Sequence, residues 1–135
     1  MIRLKRDQNL NHFKALNSKY DEFKQNLKKY IQPKENVDYV LWGAGHQALF
    51  TLLTTTLIDV IDWIVDSAPF KQEKYVEGTT LKIHDPKSIA NMRKGSKLIV
   101  CCGGFNKEII KKARKINNEI KILEIHECQI SEIKL

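Results

Sequence analysis

The sequence predicts an α/β protein whose sheet is mostly parallel and is covered by helices on both faces. Short apolar runs alternate along the chain with longer segments of helical periodicity. A glycine turn joins the first apolar run to the helical segment after it. Right-handed crossovers between such units give a three-layer, Rossmann-like doubly wound sheet, here of about five strands in the order 3-2-1-4-5.

A long amphipathic helix is predicted for residues 7–31, before the first strand, and Pro33 ends it. Its apolar residues recur at alternating spacings of three and four, which places one stripe along the helix: Phe13, Leu16, Tyr20, Phe23, Leu27 and Tyr30. The stripe could pack on its own domain or form a seam with a second chain. We therefore predict two parts: residues 1–34, the helix packed on the domain or on a partner, and residues 35–135, the α/β domain.

The remaining elements follow from local signals. Five strands are predicted, at residues 40–42, 60–65, 79–83, 97–102 and 120–125. Three threonines at residues 54–56 weaken the helix after the glycine turn, and residues 67–78 form a loop. Asp85 and Pro86 are typical of an N-cap and a first helical position, so a helix begins there. The last helix occupies residues 107–116, and two asparagines follow it.

The glycine turn at residues 43–48 reads GAGHQA and fits the phosphate-binding pattern G-x-G-x-x-G/A. Gly43 permits a tight turn off the strand, and Gly45 leaves room for a phosphate against the backbone. Ala48 lets the next helix pack close to the sheet. That helix presents its N-terminus, with unpaired N–H groups and partial positive charge, to whatever lies over the turn.

Asp66 follows the second predicted strand and lies 23 residues after Gly43. In a dinucleotide-binding unit, a carboxylate about 20 residues beyond the first glycine accepts hydrogen bonds from a ribose diol. We expect Asp66→Ala to abolish stabilisation by a ligand with little loss of intrinsic stability. The alternative is that the glycines only form a tight turn and Asp66 only caps a loop.

Ligands of doubly wound sheets bind where strands end beside the switch in strand order, here between the first and fourth strands. Three loops meet at this crevice. The candidate ligand-binding residues are Gly43, Ala44, Gly45, His46, Gln47, Asp66, Ser67, Lys71, Gly103, Gly104 and Asn106. The expected ligand is a nucleotide-type small molecule, a dinucleotide included.

Composition argues against membrane, secreted and nucleic-acid-binding proteins. The chain has 135 residues, enough for one domain, and no apolar run long enough to span a membrane. Its first residues lack the apolar core of a secretory signal, so we expect a cytoplasmic protein without membrane contact. The net charge is +7, but the lysines are scattered and no nucleic-acid recognition pattern is present, so nucleic acid is not expected as a partner.

The cysteines suggest neither a metal site nor a catalytic thiol. Cys101 and Cys102 are adjacent and continue a predicted strand, and Cys128 stands alone. An odd number of cysteines without C-x-x-C spacing fits reduced, packed thiols. We therefore predict no metal ligand and no catalytic thiol, and we assign no catalytic residue in this chain.

The run VDSAPFKQEKYVEGT at residues 65–79 closely resembles a motif in the C-terminal domain of sugar C-methyltransferases that act on nucleotide-linked deoxysugars, roughly VDRNPxKQGKYxPGTxIPI. The positions that fit are Val65, Asp66, Pro69, Lys71, Gln72, Lys74, Tyr75, Gly78, Thr79 and Ile83. The family's leading helix, its YGA-type turn and its PWN-type turn resemble residues 13–30, 42–44 and 104–106. The resemblance therefore covers nearly the whole chain.

The resemblance implies a Rossmann-like domain that helps to hold a nucleotide-sugar in deoxysugar or surface-glycan biosynthesis. In the resembling enzymes, the methyl-donor site, the zinc-binding cysteines and the catalytic residues lie in upstream domains without counterpart here. The chain is thus expected to be a binding domain or accessory subunit rather than a complete enzyme. Its N-terminal helix could contact a separate catalytic subunit or form a homodimer.

Two positions depart from the family pattern. The first turn carries Gln47 and Ala48 where the family has lysine and glycine, which removes one charge that would neutralise phosphate. Ala68 replaces the asparagine of the DxNP motif. Two other functions stay open: a small NAD(P)-dependent oxidoreductase, and a non-catalytic interaction module with a vestigial crevice.

Overall fold

The computed structural model describes the backbone of residues 2–134 and the side chains of residues 9–134. It has a six-stranded sheet in the order β3-β2-β1-β4-β5-β6, in which β1 to β5 are parallel and β6 pairs antiparallel with β5. The strands are β1 Tyr39–Trp42, β2 Trp63–Val65, β3 Ile83–His84, β4 Lys97–Val100, β5 Lys121–His126 and β6 Gln129–Ile133. The predicted α/β class and order of five strands are confirmed.

Helices cover both faces of this sheet. They are α1 Ile2–Tyr30, α2 His46–Thr54, α3 Leu57–Val60 and α4 Asn106–Ile116, with 3-10 segments at Pro86–Asn91 and Gly103–Phe105. One face packs on α1, α2 and α3, and the other on α4 and the Pro86–Asn91 segment. All four residues of β1 are buried, as expected for a central parallel strand covered on both sides.

The sixth strand is absent from the prediction. It follows β5 through a two-residue turn, in which Glu127 and Cys128 have φ angles of 48° and 60°. Turns with two positive φ angles are usually marked by Asn-Gly or Asp-Gly, and neither occurs here. The hairpin therefore forms without its usual signal in the sequence.

Three predicted strands are shorter than expected, and the fourth ends at Val100 instead of Cys102. The second begins at Trp63, because helix α2 ends with Thr55 as its C-cap and Leu57–Val60 then forms the short helix α3. The third is reduced to Ile83–His84, because the Thr79 hydroxyl donates to Val76 O and accepts from Leu81 N, which forms a turn. The N-cap is confirmed, since Asp85 Oδ1 accepts from Lys87 N at 2.8 Å, but the segment after it is a 3-10 helix.

The apolar stripe of α1 divides into two parts. Phe23 and Leu27 are buried in the core cluster formed with α2 and the sheet. Phe13 and Leu16 are exposed. In the part of the chain that the structure describes, no helix is both long and apolar enough to cross a membrane.

Candidate functional site

Gly43 brings the first turn close to β4. Its φ is +135°, and a Cβ at this position would lie 2.7 Å from the carbonyl oxygen of Cys101. Its N–H donates to Val65 O at 2.9 Å, which ties the turn to the end of β2. Only glycine fits here, because both the backbone conformation and the neighbouring carbonyl exclude a side chain.

The N-terminus of α2 presents free backbone donors. Gly45 is the N-cap residue, and no side chain caps the helix. Within the described chain, the backbone N–H groups of residues 45–48 have no hydrogen-bond acceptor. A Cβ at Gly45 would have no heavy atom within 4 Å, so the space above the turn is open. Free N–H groups and the positive end of a helix dipole form a site suited to an anion.

Asp66 connects the loops on either side of the cleft. Its Oδ2 accepts from Ala44 N at 2.9 Å, and its Oδ1 accepts from Ala68 N at 2.8 Å. The carboxylate therefore caps two backbone N–H groups and holds the glycine turn against the end of β2. A carboxylate accepts about four hydrogen bonds, so these two leave capacity for a diol.

Lys71 places a positive charge beside the glycine turn. Its Nζ lies 3.9 Å from Asp66 Oδ2 and donates to Ala44 O at 3.3 Å. Gln72 donates from Nε2 to Asp66 O at 2.8 Å and fixes the start of the same loop. Lys71 thus lines the same cleft as Gln47, the position at which the family pattern has a lysine, although it comes from a different loop.

These residues surround a cleft of about 450 Å³ at the carboxyl ends of β1, β2 and β4. Seven of the predicted ligand-binding residues line it: Gly43, Gly45, His46, Gln47, Asp66, Ser67 and Lys71. The Ala44 N–H donates to Asp66, and the Ala44 carbonyl oxygen accepts from Lys71. Gly103 and Gly104 lie in the turn after β4, outside the lining.

Asn106 is also outside the lining. Its side chain is buried, with Oδ1 accepting from Cys102 N at 2.7 Å and Nδ2 donating to Ile125 O at 3.1 Å. The prediction that Asn106 contacts a ligand therefore needs correction, because its hydrogen bonds join the turn after β4 to β5 inside the protein.

Three larger apolar residues also line the cleft, Trp42, Phe105 and Ile109, together with Ala48, Cys101 and Cys102. They are absent from the sequence-based set of ligand-binding residues, which contains only polar residues and small residues of the turns. Phe105 is 69% exposed at the start of α4, and an aromatic residue directly after a glycine pair in a loop could have indicated it.

A second cleft of about 420 Å³ adjoins the first and shares Trp42 and Ser67 with it. Pro86 lines it from the 3-10 segment, and Ile116 lines it from α4. Three lysines also line this cleft: Lys87, Lys112 and Lys115. A ligand that extends past Asp66 and Ser67 would enter a slot lined by Trp42, Pro86 and Ile116 and bordered by the three lysines and Asp85.

Cys101 and Cys102 lie under the first cleft as protonated thiols. Burial raises the pKa of Cys101 to about 11 and that of Cys102 to about 12. Cys102 Sγ lies 3.2 Å from Trp42 O, within hydrogen-bond distance. Neither thiol is suited to act as a nucleophile near neutral pH. Among the described side chains, those of residues 9–134, no three His, Cys, Asp or Glu residues are grouped so as to hold a metal ion.

The three thiols should react at very different rates. Cys128 is exposed, whereas Cys101 is buried and Cys102 is half-buried. With a disulfide reagent at pH 8, we expect one thiol per native chain to react rapidly and all three to react after unfolding. Cys128→Ser should remove the rapid phase. If two thiols still reacted rapidly in the folded Cys128→Ser variant, this assignment would be contradicted.

Comparison with solved structures gives neighbours of similar fold. UDP-D-quinovosamine 4-dehydrogenase from Vibrio fischeri has a TM-score of 0.56 and 16% identity, over 73% of this chain and 94% of that one. RSP, a Rex-family repressor, has a TM-score of 0.53 and 18% identity, over 85% of this chain. This chain spans 56% of the repressor's length. At these identities the likeness shows the fold.

The repressor has also been solved with β-NADH, and with β-NAD+ and operator DNA. A fold of this kind therefore occurs in a DNA-binding protein, so the fold gives no support to the prediction that nucleic acid is excluded as a partner. No curated protein sequence gives a significant match to the chain.

The family comparison is more specific. Residues 4–122 match the model of the C-methyltransferase C-terminal domain. The resemblance of residues 65–79 to that domain is thus confirmed by a match over most of the sequence. The protein belongs to the family of the C-methyltransferase C-terminal domain.

Proposed function

We propose that this protein binds a nucleotide-linked sugar at the N-terminus of α2, as a binding domain that performs no methyl transfer itself. The observation that carries the proposal is the set of free backbone N–H groups at residues 45–48, which open onto the first cleft beside the Lys71 ammonium. Backbone donors at a helix N-terminus and a lysine together suit a diphosphate.

The proposed ligand spans both adjoining clefts. A diphosphate at residues 45–48 places the adjacent ribose near Asp66, which retains hydrogen-bonding capacity. The base would then continue into the second cleft, past Ser67 and between Pro86 and Ile116. The sugar would lie on the opposite side, against Phe105.

The comparisons support this ligand class. The family is that of a domain of C-methyltransferases, and one structural neighbour is named for a UDP-linked sugar. A role in deoxysugar or surface-glycan biosynthesis, beside a separate catalytic subunit, follows as the proposed context. A second candidate ligand is a dinucleotide, since the repressor has been solved with NADH.

Lys71 and Lys74 offer a matched test of binding. Both belong to the same loop, but only Lys71 lines the first cleft, while the exposed Lys74 lies outside it. In calorimetric titration with nucleotide-sugars and with NADH, we expect Lys71→Met to weaken nucleotide-sugar binding by roughly 5- to 30-fold, about 1–2 kcal/mol. Lys74→Met should bind like the wild type.

Equal affinities for both variants and the wild type would remove Lys71 from the site. Tighter binding of NADH than of every nucleotide-sugar would favour the dinucleotide instead. If neither NADH nor any of the nucleotide-sugars bound, the proposed function would be refuted.

A further inference from the structure

The N-terminal half of α1 extends beyond the body of the protein. The helix has 29 residues and is therefore roughly 43 Å long. Phe23 and Leu27 anchor its second half in the core, whereas every residue from 9 to 19 is exposed. Leu10, Phe13 and Leu16 are 50%, 59% and 52% exposed and recur at intervals of three residues. Three large apolar side chains thus form one exposed line on a projecting helix.

This apolar line continues onto α2. The ring of Tyr20 lies 5.9 Å from that of Phe50, and its hydroxyl is hydrogen-bonded to Thr54. Phe50 and Leu53, one turn apart on α2, are 59% and 50% exposed. We call the five residues Leu10, Phe13, Leu16, Phe50 and Leu53 the apolar ridge. Clustered exposed apolar side chains of this kind, linked here through Tyr20, are typical of an interaction site.

The charge on the projecting half of α1 is mostly positive. In the sequence, residues 1–19 contain five Lys and Arg residues and one acidic residue, Asp7. Lys14 and Lys19 lie among the exposed residues of the projecting helix, and no acidic residue occurs between residues 8 and 20. A surface that complements this one must combine an apolar groove with acidic residues at its edge.

We infer that the apolar ridge docks in an apolar groove with an acidic rim on another protein. The contact is of the helix-in-groove type, with Leu10, Phe13 and Leu16 as anchors on successive turns. A second copy of this chain fits less well, because pairing two such helices would bring two basic segments together. A membrane also fits less well, because polar Asn9, Asn11 and Asn17 leave only a narrow apolar face.

Site-specific photo-cross-linking tests the inference with the full chain in the source cells. The photoreactive residue p-benzoylphenylalanine is placed at Phe13, on the ridge, or at Ala15, which lies on the opposite side of α1. Circular dichroism of each purified variant checks that the helix is retained. We expect a protein adduct from position 13 and at least tenfold less from position 15.

Mass spectrometry of the adduct then identifies the cross-linked segment. The inference predicts a segment of net negative charge from a different protein, and loss of the adduct in the double variant Lys14→Glu/Lys19→Glu. An adduct between two copies of this chain, an adduct with lipid, equal yields at both positions, or no adduct would each overturn it. Because this result does not depend on a nucleotide, it is separable from the outcome of the binding titrations.

Discussion

Gly43→Ala is expected to lower the free energy of unfolding by about 2–4 kcal/mol, because a methyl group there meets backbone that cannot move away. The added Cβ would lie 2.7 Å from Cys101 O and 3.1 Å from Cys102 Sγ. The φ of +135° adds strain for any residue other than glycine. Chemical denaturation, with the slope of the transition compared between variants, measures the effect.

Gly104→Ala provides the control. A Cβ at Gly104 has no heavy atom within 4 Å, and its φ lies outside the left-handed region. This variant should stay within about 0.5 kcal/mol of the wild type. If Gly43→Ala were equally stable, the close approach of the glycine turn to β4 would be wrong.

Asp66→Ala is expected to lose about 2–4 kcal/mol of stability, since it removes the acceptor of two backbone N–H groups. One of them, Ala44 N, belongs to a residue that is only 6% exposed and would be left without its acceptor. The structure thus changes the sequence-based expectation that this substitution affects ligand binding with little loss of stability. Asp66→Asn, which keeps one acceptor oxygen, should fall between the wild type and Asp66→Ala.

Asp59→Ala is the matched comparison, because Asp59 is an exposed carboxylate on the short helix α3. Its unfolding free energy should change by less than about 0.5 kcal/mol. Should Asp66→Ala prove as stable as Asp59→Ala, the carboxylate would have no structural role at the turn. Asp66→Ala would then test ligand contact without a change in stability.

The sequence predicts the fold where local signals and tertiary packing agree. The alternation of apolar runs and helices determines the order of five strands, and the glycine pattern locates the turn at residues 43–48. It does not predict β6, because the Glu127-Cys128 turn lacks the residues that usually mark such a hairpin. The long stripe of α1 likewise does not reveal where the body of the domain ends and the projecting half begins.

The candidate site is predicted in outline, and its individual contacts require the structure. Glycine spacing and strand ends place Gly45, Asp66 and Lys71 at one cleft. Asn106 shows the limit of such reasoning, because an asparagine before a helix can face a ligand or bridge two strands with the same sequence signal. The second cleft combines Ser67, Lys87 and Lys112 from separate elements, so no single motif marks it.

Amide chemical-shift mapping tests the anion site at α2 most directly. The ¹⁵N-labelled protein is titrated with inorganic pyrophosphate and with UDP-glucose, and shifts are followed for every amide. The account predicts the largest shifts at residues 45–48 with both probes, and additional shifts near Asp66 and Ser67 with UDP-glucose alone. Unchanged amides at residues 45–48 with both probes at millimolar concentration would contradict it.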